Sequence, residues 1–149
     1  MELIQITTEN LYLYKRFDEL YDAAWKRYQS RIYPKDYERV LAGHALAWYY
    51  IYVDTRLIGS VWLELQEEDS AVLGVFIADS AFRGKGYGRQ AVQEAVMRGL
   101  PGVCLKKVVL TVRADNPRAQ KCYQHAGFVQ KAAFINDMGI QMLYMEYLY

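Results

Sequence analysis

Arg83-Gly84-Lys85-Gly86-Tyr87-Gly88 places three alternating glycines among cations, immediately before a stretch with helical spacing. A bare backbone at a helix start leaves the N–H groups of the first turn unpaired and pointing outward, and the macrodipole adds positive potential there. The ligand this chemistry selects is a phosphate or pyrophosphate, with Arg83, Lys85 and Arg89 as supporting charges. The plainer alternative is a tight turn that needs glycine dihedrals. The same residues also parse as G-x-G-x-x-A over Gly86-Tyr87-Gly88-Arg89-Gln90-Ala91, a dinucleotide fingerprint. That fingerprint requires an acidic residue after the next strand, where this chain has Arg113. A Walker phosphate loop is excluded, because Gly84-Lys85 is followed by Gly86 rather than Ser or Thr.

A second constellation lies further along. Asn116, Ala119 and Tyr123 stand at i, i+3 and i+7, one face of a helix over two turns. An amide, a small residue and a phenol fall in line, with room left between the outer two. Alone, this is equally a capped helix with a core tyrosine.

These residues need elements to hold them. Leu3, Ile4 and Ile6 suggest a first strand, and Leu13, Phe17, Leu20 and Ala24 a helix. A second short helix would hold Tyr37, Val40 and Leu41. Ala47–Val53 and Ile58–Gln66 read as a hairpin, with Val61, Leu63 and Leu65 on one face and Trp62, Glu64 and Gln66 on the other. Val72–Ala78 is nearly all apolar, as a strand covered on both faces would be. The helix after the glycines carries Ala91, Val92, Ala95 and Val96 on one side, and Pro101-Gly102 would stop it. Lys107–Val112 is another buried strand. Asn116 looks like an N-cap with Pro117 at the first helical position, and Gly127 like the residue that ends that helix. Two closing strands flank Asn136-Asp137-Met138-Gly139. The whole is α/β: a mixed sheet with an antiparallel hairpin region and a β-α-β centre.

Composition narrows the classes. The 149 residues form one domain, 1–149, with no repeat or linker to divide it. A balance of 18 Lys+Arg against 17 Asp+Glu calls for neither nucleic acid nor an anionic membrane. Cys104 and Cys122 have no metal-ligand spacing and fit a reducing compartment, so a soluble cytoplasmic protein with no metal is expected. No secretory signal is visible, and Ala45–Val53, the longest apolar run, is too short to span a bilayer.

Taken together, the two constellations resemble a family. Arg83-Gly84-Lys85-Gly86-Tyr87-Gly88 fits the R/Q-x-x-G-x-G/A loop of the GNAT-type acyl-CoA N-acetyltransferases. Asn116-Pro117-Arg118-Ala119, then Tyr123 and Gly127-Phe128, looks like the family's N-x-x-A-x-x-x-Y-x-x-x-G-F. The resemblance implies a mixed, mostly antiparallel central sheet of six to seven strands flanked by about four helices. It implies acetyl-CoA as acyl donor. Backbone groups at Phe76 and Ala78 would hold the pantetheine arm, and residues 84 to 89 (Gly84, Lys85, Gly86, Tyr87, Gly88, Arg89) the pyrophosphate. Asn116 would contact the arm, and Tyr123 would lie near its sulfur. The tyrosines Tyr12, Tyr14, Tyr21, Tyr28 and Tyr33 fall where similar enzymes shape the acceptor pocket.

The reaction so implied is direct acetyl transfer to a primary amine of a small molecule or peptide. Only a neutral amine attacks, and a lysine-like ammonium of pKa about 10.4 lies roughly 4.6 kcal/mol from neutrality at pH 7. Tyr123 is the expected general acid toward the leaving thiolate. Some family members have a glutamate base at the position of Val72, which cannot serve. Glu64 is a candidate base, though it reads equally as the solvated side of a strand; Asp79 reads equally as a cap. His44 and His125 are explained as helix C-terminal residues. Two other classes stay open: a non-catalytic acyl-CoA-binding domain, which Val72 favours, and a dinucleotide-binding module. A homodimer could form by strand pairing through the apolar, Tyr-rich segment Leu143–Tyr149.

Overall fold

The computed structural model describes residues 1–20, 31–35, 37–38, 41 and 45–149. The expectations for Tyr21, Ala24, Tyr28, Val40 and His44 lie outside the described residues. Strand β1 (Glu2–Gln5) precedes a 3-10 helix (Leu11–Lys15) and helix α1 (Arg16–Leu20). Strands β2 (Leu46–Val53), β3 (Arg56–Glu67) and β4 (Ser70–Ile77) follow. A 3-10 turn (Ser80–Phe82) leads to α2 (Tyr87–Arg98), β5 (Lys107–Arg113), α3 (Pro117–His125), β6 (Val129–Ile135) and β7 (Gln141–Leu148). They build one seven-stranded sheet in the order β1-β2-β3-β4-β5-β7-β6, antiparallel except where β4 meets β5. The mixed, mostly antiparallel sheet is the architecture expected.

Period-two alternation explains the two cores. Ala47, Tyr49, Ile51, Val61 and Leu63 face one way and pack with Ala91, Val92, Ala95 and Val96 of α2. Leu46, Trp48, Tyr50 and Trp62 face the other and meet Tyr14 and Phe17. That second core is aromatic and polar-tipped. Trp48 Nε1 donates to Ser60 Oγ at 3.0 Å, which donates to Tyr49 O at 2.9 Å; Tyr50 OH donates to Asn10 O at 2.7 Å. The Tyr14 hydroxyl donates to Ile32 O. Tyr14 is therefore core, whereas Tyr12 is exposed. The Trp62 face of β3 is not a solvated side: Trp62 is buried.

Local signals end the elements. Asp54, at φ 55°, turns β2 into β3. Helix α2 ends earlier than Pro101-Gly102, at Gly99 with φ 63°, because a left-handed C-terminal residue suits glycine. Leu143–Glu146 is not available for pairing across a dimer, since there β7 already lies between β5 and β6. The edge strands are β1 and β6, and β6 is exposed along its whole length, with Val129, Phe134 and Ile135 among the exposed apolar residues.

The feature that makes the site is an interruption. β4 and β5 pair only at Ser70–Lys107, Ala71–Val108 and Val72–Val109. Beyond Val72 the two strands part: β4 continues against β3 to Ile77, and β5 against β7 to Arg113. A wedge opens in the middle of the sheet.

Candidate active site

Alternation of backbone groups decides what β4 presents to that wedge. Ala78 N–H donates to Ile58 O on the β3 side at 2.7 Å. Successive residues of a strand turn their N–H and C=O to opposite edges. Phe76 therefore also faces β3, and Leu73, Val75 and Ile77 face the wedge. Arg83 Nε, donating to Ile77 O at 2.8 Å from outside the β3 ladder, agrees with that assignment. This corrects the expectation for Phe76 and Ala78 by one residue. Ala78 is wholly buried and does not line the cavity, and its carbonyl accepts from Arg83 Nη2 at 3.1 Å. Val75 and Ile77 are the β4 positions whose backbone groups face the wedge; strand parity becomes visible only once a partner strand is known.

A cavity of about 1040 Å³ fills the wedge and runs to the glycine loop. All of Gly84, Lys85, Gly86, Tyr87, Gly88 and Arg89 line it, as do Asn116 and Tyr123. Two segments about thirty residues apart thus share one space. Gly86 is the N-cap of α2 at φ 85°, ψ 3°, and no side chain caps the helix. The N–H groups of Tyr87, Gly88 and Arg89 are left for a ligand, at the positive end of a twelve-residue helix. Nothing lies within 4 Å of where a Cβ on Gly84 or Gly86 would stand, so the loop is bare and open. A Cβ on Gly88 would stand 3.6 Å from Cys122 Sγ, which marks where α2 and α3 meet.

Not every cation of the loop is free for an anion. The Arg83 guanidinium is tied to the carbonyls of Ile77 and Ala78, so it fastens the loop to the end of β4. Lys85 and Arg56 both lie over the Phe82 ring, 5.8 and 5.5 Å from its centroid. Asp79 accepts from Ala81 N at 3.0 Å and pairs with Arg56 at 3.1 Å, which makes it a cap.

Helix α3 is set by both of its ends. Asn116 Oδ1 accepts from Ala119 N at 3.3 Å, and Gln120 Nε2 donates to the carbonyls of Arg113 and Ala114, binding the helix to the end of β5. Phe128 N donates to Tyr123 O at 2.9 Å around Gly127, at φ 105°. The Tyr123 ring sits 6.1 Å from that of Phe128. Burial pushes the Tyr123 phenol well above its ordinary range, and pushes the Cys122 thiol up to about 11. Glu64 pairs in register with Val72 but does not line the cavity. Among the described residues no Asp or Glu lines it, and no group of His, Cys, Asp and Glu could hold a metal ion.

Comparison with known proteins follows this geometry. Residues 12–128 match the model of the acetyltransferase (GNAT) family. Over 79 residues the chain is 30% identical to a mycothiol acetyltransferase of Beutenbergia cavernae, covering 53% of this chain and 26% of that protein. The chain thus spans about a quarter of the length of that curated relative. A chimera of Vibrio cholerae spermidine N-acetyltransferase SpeG and hSSAT superposes with a TM-score of 0.76 at 20% identity, covering 99% of this chain and 96% of that one. Aminoglycoside acetyltransferase AAC(6')-Ib, solved with coenzyme A and kanamycin, gives 0.75 at 19% identity, covering 98% and 93%. At such identities the two structures establish likeness of fold.

Proposed function

Because the chain belongs to the acetyltransferase (GNAT) family, we propose that it transfers an acetyl group from acetyl-CoA to an amine by direct attack on the thioester. One observation carries the reading: the wedge between β4 and β5 connects the uncapped first turn of α2 to Tyr123 within a single cavity. A pantetheine arm is amide-bearing and extended. Laid along β4, it would satisfy the backbone groups of Val75 and the N–H of Ile77 that β5 leaves behind; the Ile77 carbonyl is held by Arg83. The diphosphate would sit on the N–H groups of Tyr87, Gly88 and Arg89. Bound there, acetyl-CoA supplies an acyl group activated as a thioester.

The chain's own residues supply position and protons. Asn116, capping α3 through Oδ1, keeps its Nδ2 without a partner among the described residues and lines the same cavity. Tyr123 keeps its proton at any working pH, since burial disfavours the phenolate. It serves as a hydrogen-bond donor to the departing sulfur. In the net step the N–C bond forms, the C–S bond breaks, and the single proton lost by nitrogen equals that gained by sulfur. Val72 offers no base, and Glu64, one strand further out, would act only through water. The lone cysteines support a cytoplasmic site of action, and a homodimer would use the exposed β6 edge.

The test is thiol release from acetyl-CoA across a panel of amines and peptides, with calorimetry of acetyl-CoA and NAD beside it. Acetyl-CoA binding with amine-dependent thiol release is expected. Tight binding without release from any acceptor would make the chain a sensor, and preference for NAD would overturn the assignment.

A further inference from the structure

The cavity passes through the sheet. On the face away from α2 and α3 it is lined by Trp62, Gly74, Thr111, Arg113, Met142 and, at the rim, Arg31. Trp62 is 3% exposed, and its indole lies across Gly74 so closely that a Cβ there would stand 2.7 Å from Nε1. Trp48 donates its N–H to Ser60, but Trp62 Nε1–H has no hydrogen-bond partner among the described residues. Nor is that atom sealed in protein: Ser70 Oγ is the unpartnered side-chain atom that is fully enclosed. A donor that no described protein group satisfies and that opens on a cavity can pair with an acceptor atom from outside the chain, from water or from a ligand that displaces it.

The charged side chains that line this face among the described residues, Arg31 and Arg113, are both cations. Arg113 is held by Asp115 at 3.0 Å, while among the described residues Arg31 makes no ion pair and no carboxylate lines the cavity. A polyamine brought to this mouth would meet the guanidiniums of Arg31 and Arg113 and, among the described lining residues, no carboxylate for its additional ammonium groups.

Resting on the acetyltransferase reading above, we propose that this mouth takes an α-amine, an amino-acid or peptide-type acceptor. The oxygen on the carbon next to the amine-bearing one accepts from Trp62 Nε1–H, and Arg31 receives a carboxylate. The missing base points the same way. At pH 7 about one in ten α-amines of a peptide is neutral, against roughly one in 2,500 lysine-type amines. A cavity that no carboxylate lines among the described residues, with Glu64 held back on the neighbouring strand, therefore suits the α-amine.

The experiment measures thiol release from acetyl-CoA with alanyl-alanine, free alanine, Nα-acetyl-lysine amide and spermidine, and the binding of each to CoA-loaded protein by calorimetry. Alanyl-alanine or alanine should exceed spermidine and the lysine amide by more than ~10-fold in kcat/KM or in affinity. The ratio of the first two tells carbonyl from carboxylate recognition. Trp62→Phe, which keeps an aromatic ring against Phe76, should raise KM or Kd for the favoured acceptor at least ~5-fold with KM for acetyl-CoA unchanged, while Tm falls as it does for any buried ring made smaller. Arg31→Ala, at an exposed position, should weaken acceptors that carry a carboxylate and spare the lysine amide. Preference for spermidine, or no response of the acceptor to either variant, overturns the proposal and leaves the acetyltransferase reading intact. Failure to bind acetyl-CoA overturns that reading, and this one with it.

Discussion

Glycines mark both sides of β4, and they do opposite work. In the loop ahead of α2, Gly84 and Gly86 stand in open space with φ of 73° and 85°, and what they provide is backbone for a ligand. Within the sheet, Gly59 and Gly74 stand where a Cβ would lie 2.1 Å from Phe76 O and from the Trp62 ring, and what they provide is room for the protein itself. The loop end of the cavity, proposed to take the donor, is thus built from bare main chain and a helix terminus. The end at Trp62, proposed to take the acceptor, is built from side chains of separate strands pressed together. A substitution in the first should change binding of acetyl-CoA; in the second it should change stability before anything else.

That contrast can be broken most sharply at Gly59. A methyl group there meets a backbone carbonyl that cannot move aside, so Gly59→Ala should lose at least ~3 kcal/mol in urea denaturation or fail to fold. Gly74→Ala meets a ring instead and should lose about 2 kcal/mol, partly recovered when Trp62→Phe is added. Loss from Gly74→Ala without recovery would mean that the indole is not the obstacle. On the donor side, Tyr123→Phe should lower kcat more than ~10-fold with little change in KM for acetyl-CoA and in Tm. Unchanged turnover removes Tyr123 from the mechanism. Gly86→Ala should raise KM for acetyl-CoA by roughly 5- to 10-fold and cost no more than about 1 kcal/mol of stability, since only its positive φ is strained.

The thiols give the smallest contrast. Cys104 is exposed, whereas Cys122 has its pKa raised from 9.0 to about 11 by burial. At pH 8 its thiolate population is lower by about a hundredfold. A disulfide reagent should therefore take one equivalent quickly and the second slowly. Two equally fast thiols would mean that the junction of α2 and α3 is open.

How much of this was legible follows from how far apart the interacting residues lie in the chain. The loop Arg83–Gly88 and the run Asn116–Tyr123 were readable because each is a local backbone event: a helix start without a cap, and a capped helix that places a phenol two turns on. Strand identities were readable from period two, down to Val61 and Leu63 sharing a face. The aromatic richness of Leu46–Tyr52 announced burial, but not that Trp48 and Tyr50 form a core distinct from that of Tyr49 and Ile51.

By itself, then, the sequence determined the bare glycine loop, the ends of α2 and α3 and the class of fold, because those depend on dihedral preference and hydrophobic period within a few residues. Only tertiary structure decided where β4 leaves β5, which β4 backbone groups face the wedge, and that the Trp62 N–H lies over Gly74. These are outcomes of pairing between segments far apart in the chain. A shift of one residue in strand parity exchanges Phe76 for Val75 and Ile77 without changing any local signal.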